Sequence, residues 1–544
     1  MKSPWEQTSI ATCSHRRTLL SLLSSNLPDQ KPSDWLTYED NPFSEESRCL
    51  PPLGIFAFAA VCAEAAAVVM NNVFAKSCVL IGLAVSLHTA VSSNGAQALD
   101  ATQVRLLPGS PFYERQELHC HGYLASFEPD RLLFHYRALA GLPQPEGARA
   151  YGGWDSGFIR GHMAGHYLSA ASRMAAATGD KQFRERVNYM VGELAKCQDA
   201  LKQDGYLAAF PLGAFDRLEG KNGNSAGVVV PYYTIHKIMA GLLDAHHYLG
   251  NTHNMLKLTA RLFERNPSAE YADYAERALY DHLLATVAPD TGPVTYFTPL
   301  RGTFRTYLTG NQCCVGTGIE NTPRYNESIY FQQADSLWVN LYIPSELDWR
   351  QAGLIVRQEG DLTRGGPVRF TVVKAGAQSV QVHFRIPHWI SKPAAVTLNG
   401  KVEEPAGKPS TYVSLRQNWK AGDVVTLTLP ASLRLEQARD DSSMVSIFFG
   451  PVLLAGELGR ENMPNDSGDP DANMKTPAVP VPDITASSRN PADWLQPIPD
   501  AKLAFRAHDA GPADGITFRP LYDVHHERYS AYWRLGETSI KATP

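Results

Sequence analysis

The spacing of apolar residues changes near residue 345, and this change divides the chain into a helical part followed by a β part. From about residue 129 to 345, apolar side chains recur at the period of a helix that buries one face. The clearest helical segments are residues 157–180, 181–201, 232–250, 254–264 and 270–286. Helix stop and start signals separate them at Gly179-Asp180, Gly250-Asn251 and Asn266-Pro267. Such helix pairs predict a helical bundle, an α-solenoid or an α/α toroid.

After Pro344, apolar and polar residues alternate, which is the period of a strand with one buried face. The alternating segments are residues 368–373, 379–386, 395–401, 411–415, 423–430 and 444–458. Strands at this spacing predict a β-sandwich, and Asn399-Gly400 predicts a hairpin within it. The polar residues 459–490 predict a linker or long loop, and residues 515–533 predict one last short β segment.

These segments predict a multidomain chain. We expect a helical domain at 99–345, a β-sandwich at 346–460, and a linker with a small carboxy-terminal β domain at 461–544. A chain of 544 residues is too long for one core, which agrees with several domains. Its formal net charge of -5 gives no general attraction to phosphate backbones, so nucleic acid is not an expected partner.

The amino-terminal region contains an apparent export signal in an unusual place. Residues 70–98 place Lys76 before an apolar run and end with Ala96-Gln97-Ala98, which predicts a signal peptide cleaved before Leu99. We therefore expect translation to start at Met70, with residues 1–69 a spurious or disordered extension. A membrane hairpin is the alternative, but Glu64 within the first apolar run disfavours it. The expected location is periplasmic or extracellular, without a stable membrane anchor after cleavage.

Two histidines on one predicted helix are candidate site residues. His162 and His166 lie one turn apart, so both side chains can face one ligand. Met163 stands where a zincin motif requires glutamate, and core or substrate hydrogen bonding is therefore favoured over metal binding. His236 has the same two interpretations. Asp155, which follows Trp154 before this helix, either caps the helix or binds a sugar hydroxyl.

Cys313 and Cys314 are adjacent, and a glycine-rich turn follows them. A divalent metal lowers the pKa of a thiol strongly, and two thiolates could supply half of a tetrahedral zinc shell. The glycines allow close backbone approach and open a helix whose amino-terminal dipole favours anionic sulfur. The alternative is a buried pair of small apolar residues. We favour a metal-binding or catalytic role for the cysteines over simple packing, because a glycine-rich turn follows them.

Several motifs in the same order resemble the β-L-arabinofuranosidase-like glycoside hydrolases, formerly grouped as a domain of unknown function. They are GHMAGHYLSA, CQDALKQDGYLAAF, YYTIHKIMAGLLDAH, NMLKLTARLFE, YADYAERALYDHLLA, CCVGTGIEN, LWVNLYIPSELDW and YDVHHERYSAYW. The resemblance runs from about residue 100 to the end. It implies an (α/α)6 barrel with β-sandwich domains and retaining hydrolysis of arabinose-containing glycans.

The resemblance also implies a zinc-bound cysteine nucleophile. It places that role on Cys313 and a further zinc ligand on Cys314. The substrate-binding residues that we carry over are Trp154, Asp155, His162, His166, Gln198 and His236. Zinc would hold the thiolate deprotonated, and sulfur would replace the carboxylate nucleophile of most retaining glycosidases.

The chain departs from the family where the zinc shell should be completed. The family's Glu-x-Cys precedes the NMLKL segment, but Tyr248 and Gly250 occupy those positions here. No residue matches the acid/base glutamate, and the helical region is too short for a twelve-helix barrel. We therefore expect an incomplete (α/α)6-type barrel with an internal deletion. The alternative is a site rebuilt from groups such as His246, His247 and His253.

These observations predict a secreted protein that descends from glycoside hydrolases and whose own hydrolytic turnover is impaired. The missing ligands and proton donor leave two other function classes open. The chain could be a non-catalytic carbohydrate-binding protein, or it could be an inactive pseudo-enzyme. An incomplete barrel would expose apolar helix faces, which disfavours stable folding in the last case.

Overall fold

Helices occupy most of the described residues before 287, and strands are the main regular structure in the described residues after it. The computed structural model describes residues 95–536, apart from 248–253, 309, 361, 404–406, 465–468 and 470. The predicted amino-terminal extension, most of the predicted signal segment, and the expectations for Tyr248, Gly250 and His253 lie outside the described residues.

The α-helices account for most of the predicted helical segments. They are α1 (Pro111–Leu118), α2 (Pro129–Ala140), α3 (Gly153–Ser156), α4 (His162–Thr178), α5 (Lys181–Leu201), α6 (Gly213–Leu218), α7 (Pro231–His247), α8 (Asn254–Arg265), α9 (Ala269–Ala278), α10 (Cys313–Ile319) and α11 (Ala472–Lys475). Within the described part of the chain, none of these helices has the length and apolarity needed to cross a membrane.

Helix α4 is the centre of the helical part. All of its residues from His162 to Ala177 are buried, and small side chains let a neighbouring helix approach closely. A Cβ added to Gly165 would lie 2.1 Å from the carbonyl oxygen of Lys237, so α7 crosses α4 at this glycine. The signals at the end of α4 act as predicted, because Gly179 has a φ of 76° and Asp180 caps α5 through the Gln182 amide.

The segment predicted as one helix at 270–286 has three parts. Helix α9 ends at Ala278, a π-helical turn follows at Leu279–Leu283, and a 3₁₀ turn closes the segment at Leu284–Thr286. The wider turn places the buried carboxylate of Asp281 within 2.9 Å of the Leu453 amide in the β part. A tertiary hydrogen bond therefore accompanies the change of helix type.

The strands fall into three groups along the chain. The first group lies in or before the expected helical region: β1 (Gln97–Ala98), β2 (Val104–Leu106), β3 (Val294–Thr295), β4 (Arg301–Thr303), β5 (Tyr307–Leu308), β6 (Tyr330–Gln333) and β7 (Ser336–Val339). The second group covers the expected sandwich: β8 (Ser345–Trp349), β9 (Leu354–Glu359), β10 (Val368–Lys374), β11 (Val380–Ile386), β12 (Ala395–Leu398), β13 (Lys401–Val402), β14 (Thr411–Gln417) and β15 (Val424–Thr428). The third group is carboxy-terminal: β16 (Leu433–Gln437), β17 (Met444–Phe449), β18 (Val452–Glu457), β19 (Leu495–Pro497), β20 (Phe505–Ala507), β21 (Thr517–Pro520), β22 (Tyr529–Ser530) and β23 (Trp533–Arg534).

Two sheets form the predicted sandwich. One sheet has the order β1-β6-β7-β11-β14, and the other has the order β13-β12-β15-β10-β9-β8-β2. Phe370 on β10 and Phe384 on β11 meet edge to face, with ring centroids 5.2 Å apart in the shared core. Asn399 and Gly400 both have positive φ and form the predicted hairpin between β12 and β13.

The β part begins earlier than the apolar period indicates. Strands β6 and β7 lie at residues expected to be helical, and their side chains Tyr330, Leu337 and Val339 join the sandwich core. Strand β2, near the amino-terminal end of the described residues, pairs with β8 at the edge of the seven-stranded sheet. In its coarse form, the predicted order of a helical domain followed by β domains is confirmed.

The carboxy-terminal sheet joins segments that are distant in sequence. Its main path is β16-β17-β18-β21-β20-β19, and β22 pairs with both β18 and β4 from the helical half. Described residues of the predicted linker also reach this region, because the Val479 amide donates to the carbonyl of Gly302. The linker is therefore packed against the fold in these parts.

The end of the predicted signal segment is packed in the folded chain. Ala96 is 1% exposed, while Gln97 and Ala98 pair with Gln332 and Phe331 on β6. Cleavage before Leu99 would remove β1 and leave β6 as the edge of its sheet. Signal cleavage itself stays a prediction.

Candidate functional site

The two adjacent cysteines begin helix α10. Their Sγ atoms lie 3.8 Å apart, well beyond the disulfide bond length of about 2.05 Å. Both residues are partly exposed, and the residues that follow them turn inward. A Cβ added to Gly316 would lie 2.3 Å from Cδ2 of His166, so the glycine allows α10 to lie directly against α4. The predicted close backbone approach of the glycines agrees with this contact. The predicted turn before a helix was wrong, because Gly316 and Gly318 lie within α10 itself.

His166 connects α4 to the end of α10. Its Nδ1 lies 2.6 Å from Oε1 of Glu320, and its ring is 1% exposed. Burial lowers the pKa of His166 to about 4, although Glu320 acts in the opposite direction. The ring is therefore neutral at pH 7, its Nδ1 hydrogen is donated to Glu320, and Nε2 is left as an acceptor.

Tyr233 on α7 brings a hydroxyl group to the same place. Its oxygen lies 3.4 Å from Nε2 of His166 and can donate to that nitrogen. Burial raises the pKa of Tyr233 first, and the negative charges of Cys313, Cys314 and Glu320 raise it further. The hydroxyl therefore keeps its proton beside the thiols. Neither Tyr233 nor Glu320 was identified from the sequence, although both lie inside quoted motifs.

His162 and Asp155 form a second buried pair. Nδ1 of His162 lies 2.8 Å from the carbonyl oxygen of Ile159 and 3.1 Å from Oδ1 of Asp155. The same Asp155 oxygen accepts the Met163 amide at 3.0 Å, so the helix-cap interpretation of Asp155 is supported. Nε2 of His162 and Oδ2 of Asp155 are buried without a hydrogen-bond partner among the described residues. The pair therefore retains capacity for one more polar ligand.

Trp154 is tied to the cysteine loop through Asn311. The Trp154 backbone amide donates to Oδ1 of Asn311 at 3.2 Å, and the Asn311 amide group donates to the carbonyl of Gly152. The indole lies 4.9 Å from the ring of Phe158 and 6.3 Å from that of Tyr296. An aromatic edge therefore lies beside the loop that leads into Cys313. Asn311 was missed from the sequence, since only the fold places it against residue 154.

The other two predicted substrate residues are placed differently. The Gln198 amide donates to the carbonyl of Gly205 at 2.5 Å and so supports the turn after α5. His236 is exposed on α7, about one turn beyond Tyr233. The structure thus brings together His162, His166, Trp154 and Asp155 with the cysteine loop, and it gives Gln198 a local structural contact.

A buried network of ion pairs joins the two helices that carry His166 and Tyr233. Arg173 on α4 lies 3.2 Å from Asp244 on α7 and also contacts Glu327. Asp244 additionally accepts the Ser169 hydroxyl at 2.6 Å. Since Arg173 is 1% exposed, these partners compensate the cost of burying its charge. The network fixes the relative positions of the helices that carry His166 and Tyr233.

The thiol pair does not gather a zinc shell within the described residues. A zinc site in a protein needs at least three protein ligands. The group of three possible ligands whose atoms lie within 4.8 Å of one another is Cys120, His121 and Asp180, and it contains neither Cys313 nor Cys314. Among the residues that the structure describes, no third His, Cys, Asp or Glu completes such a group with the pair. The implied zinc therefore does not fit this pair alone.

Comparison with protein-family models gives three matches. The model described as β-L-arabinofuranosidase, GH127 catalytic domain, matches residues 103–253 and 250–327. The GH127 middle domain matches residues 336–431, and a domain of unknown function matches 434–535. The two catalytic-domain segments overlap at residues 250–253.

A curated relative and three solved structures are similar to the chain. A non-reducing end β-L-arabinofuranosidase of Bifidobacterium longum subsp. longum is 25% identical over 233 residues, which cover 37% of this chain and 34% of the relative. A solved glycoside hydrolase has a TM-score of 0.52 at 16% identity, covering 82% of this chain and 99% of its own.

The other two solved structures are described as GH127 enzymes. A GH127 β-arabinofuranosidase has a TM-score of 0.55 at 14% identity, covering 82% of this chain and 99% of its own. A GH127 β-L-arabinofuranosidase from Geobacillus stearothermophilus T6 has a TM-score of 0.54 at 15% identity, with coverages of 81% and 100%. These likenesses establish the shared fold. Together with the family-model matches, they show that the chain belongs to the GH127 β-L-arabinofuranosidase-like family.

Proposed function

We propose that this chain is an exported, glycan-directed protein of the β-L-arabinofuranosidase type whose hydrolytic capacity is impaired. The observation that carries the proposal is the incomplete ligand group around Cys313 and Cys314 among the described residues. Cys313 holds the position of the family's nucleophile by resemblance, and Cys314 that of a zinc ligand. Two thiols supply only half of a tetrahedral shell, so firm zinc binding and a stable thiolate are not expected.

The proposed sugar-binding role is supported by the groups beside the thiols. Neutral His166 and the Tyr233 hydroxyl offer a polar edge, while Trp154 provides an aromatic face of the kind that covers a sugar ring. Nε2 of His162 is a buried nitrogen without a partner in the described structure, and a sugar hydroxyl could donate to it. An arabinose-containing glycan is the proposed ligand because of the family.

We also propose that the helical part is an incomplete (α/α)6-type barrel. The support is the division of the catalytic-domain match into two segments that overlap at residues 250–253, and the single described helix, α8, between α7 and α9. One internal deletion there can remove the Glu-x-Cys ligands and the acid/base glutamate together. Rebuilding the site from other residues requires many coincident substitutions.

Hydrolysis and zinc content test the proposed impairment. The full chain is assayed with an aryl β-L-arabinofuranoside, and its zinc is measured by elemental analysis. We expect turnover near background, and neither the turnover nor the zinc content should fall in Cys313→Ser. Stoichiometric zinc that disappears in Cys313→Ser together with robust activity would contradict the proposal.

Non-catalytic carbohydrate binding is the second candidate function, favoured by the unpartnered His162 nitrogen and the Trp154 edge. Calorimetric titration with arabino-oligosaccharides tests it. Trp154→Ala should weaken binding at least tenfold, while Tyr274→Ala, which removes an exposed ring on α9, should leave it unchanged. Equal affinities of the two variants would exclude this site as the binding surface.

The proposed export rests on residues 70–98. Amino-terminal sequencing of protein secreted by a bacterial host gives the cleavage point directly. Leu99 as the first residue would support the proposal. An intact amino terminus on protein retained in the cytoplasm would contradict it.

A further inference from the structure

A second cluster of possible metal ligands lies outside the candidate glycan site. Cys120 and His121 belong to the π-helical turn His119–Tyr123 that follows α1, and Asp180 is the N-cap of α5. One ligand atom from each residue lies within 4.8 Å of the other two. The cluster uses none of the residues assigned above to sugar or thiol chemistry. We propose that Cys120, His121 and Asp180 bind a divalent cation of the zinc class.

The spacing of the cluster suits tetrahedral coordination. Sγ of Cys120 lies 3.7 Å from Oδ2 of Asp180. With zinc–sulfur and zinc–oxygen distances of about 2.3 and 2.0 Å, a tetrahedral S–O edge is about 3.5 Å. The two ligands therefore need to move by only a few tenths of an ångström. On binding, the thiol proton passes to the solvent and sulfur takes its place in the metal shell.

Asp180 can bind a metal without giving up its structural role. Its Oδ1 accepts the Gln182 amide at 2.7 Å and caps α5. Its Oδ2 is the oxygen that faces Cys120. One carboxylate thus divides its oxygens between the helix and the cluster, which fixes the direction of the ligand oxygen before a metal arrives.

Glu117 supplies the remaining element of a metal site. Its Oε2 lies 3.4 Å from Nε2 of His121, one turn along α1. If Nδ1 of His121 binds the metal, Glu117 accepts the hydrogen on Nε2 and fixes the ring, as carboxylates commonly do behind zinc-binding histidines. Glu117 lies outside the group of ligand atoms within 4.8 Å of one another, so water would take the fourth position of the metal.

The site is open to solvent on one side. Cys120 is buried, whereas the His121 side chain is 68% exposed and Asp180 is half-buried. A cation can therefore approach past His121 and reach a sulfur atom that water does not surround. Binding would tie the turn after α1 to the start of α5 and raise the stability of the folded chain by mass action.

Metal binding is tested in the full chain carrying Cys313→Ser and Cys314→Ser. This background removes the other thiol pair, so failure of the proposed function cannot be mistaken for failure of this site. We expect about one zinc per chain, a zinc-dependent rise in the melting temperature, and a sulfur-to-metal absorption band with Co²⁺. Absence of zinc binding at micromolar concentrations in this background would overturn the proposal.

Three further substitutions in the same background assign the ligands. Cys120→Ala should abolish the Co²⁺ band and the zinc-dependent rise, while Cys197→Ala, which changes the other cysteine that is buried among the described residues, should keep both. Asp180→Asn preserves a good N-cap, so the metal-free melting temperature should stay constant while zinc affinity falls at least tenfold. Unchanged zinc affinity in Cys120→Ala or Asp180→Asn would refute the assignment.

Discussion

Nδ1 of His166 lies 2.6 Å from Oε1 of Glu320, and this contact joins residues 154 positions apart in sequence. It fixes the tautomer of a buried imidazole and aims the other ring nitrogen at the Tyr233 hydroxyl. The glycine at position 316 is the reason that the two helices approach closely enough for this contact. A neutral histidine in this position has a consequence for the stability of the chain in acid.

The free energy of unfolding should fall as the pH decreases from about 6.5 to 4. His166 has a pKa of about 4 in the folded chain because of burial, against an ordinary value of about 6.5 when unfolded. The unfolded state therefore binds more protons in this window, and the contribution of His166 approaches about 1.4 kcal/mol for each pH unit. Denaturant unfolding at several pH values measures the slope.

The matched variants for this prediction are two histidine substitutions. His166→Gln should reduce the slope between pH 6.5 and 4, because the imidazole at position 166 no longer takes up a proton. The slope should not vanish, since burial also lowers the pKa of His119 to about 4. His236→Gln makes the same substitution at an exposed histidine on α7 and serves as the control. Identical slopes in His166→Gln and the parent chain would rule out His166 as the source.

Asp281 should act in the opposite direction. Burial raises the pKa of Asp281 to about 8, while the Leu453 amide and Arg277 act to lower it. Between about pH 4 and 8 the folded chain keeps a proton that the unfolded chain releases, so stability decreases as the pH rises through this window. Asp281→Asn keeps an acceptor for Leu453 and should stabilise the chain at pH 8.5 by on the order of 5 kcal/mol, since the pKa is raised by about four units at about 1.4 kcal/mol each.

The comparison for Asp281 is made at two pH values and with a surface control. At pH 4 the advantage of Asp281→Asn should vanish, since the Asp281 side chain is then neutral in the folded chain, as asparagine is. Asp440→Asn replaces an exposed aspartate and should change stability little at either pH. An Asp281→Asn variant that is less stable than the parent at pH 8.5 would contradict the raised pKa of Asp281.

Much of the local structure follows from short-range signals. Gly179 and Asp180 end one helix and cap the next, and Asn399-Gly400 adopts the two positive φ angles of a tight hairpin. These residues act on neighbours within a few positions. Their geometry is therefore readable from the sequence, and the boundaries of α5 are those expected.

The contacts that assemble the site and the sheets depend on long-range packing. The hydrogen bond of His166 with Glu320 and the pairing of β4 with β22 join distant segments, and the apolar period carries no information about such partners. The helical pattern also predicts too long a helical region. Leu337 and Val339 lie within that region, but they are buried on strand β7, whose sheet partners are distant in sequence. Gln198 shows the same limit, since its motif was recognised but its amide serves a local turn.

Arg385 should be essential for attaching α9 to the sandwich. Its guanidinium is fully buried and forms ion pairs with Asp273 and Glu276 of α9. Arg385→Met leaves two carboxylates in a buried place without their cation, and unfolding by denaturant should show a loss of about 3 to 5 kcal/mol. Arg416→Met breaks a pair with Asp335 in which both side chains are about half exposed, and its effect on stability should be much smaller. Similar losses in the two variants would contradict the proposed attachment.

Gly316→Ala should disturb the contact between the cysteine helix and α4. The added Cβ would lie 2.3 Å from Cδ2 of His166, whose ring is held by Glu320 and cannot move away without losing that hydrogen bond. We expect a loss of stability of about 1 to 3 kcal/mol and a changed rate of thiol modification at Cys313 and Cys314. Thermal denaturation and reaction with an aromatic disulfide reagent measure the two effects.

The control for Gly316 is a glycine in an open helical position. A Cβ added to Gly192 on α5 meets no atom within 4 Å among the described residues, so Gly192→Ala should stabilise the chain by about 0.5 to 1 kcal/mol through helix propensity. The two substitutions make the same chemical change and should have opposite signs. If Gly316→Ala were also stabilising and left thiol reactivity unchanged, α10 would not be held against His166 in solution, and the geometry proposed for the site would fail with it.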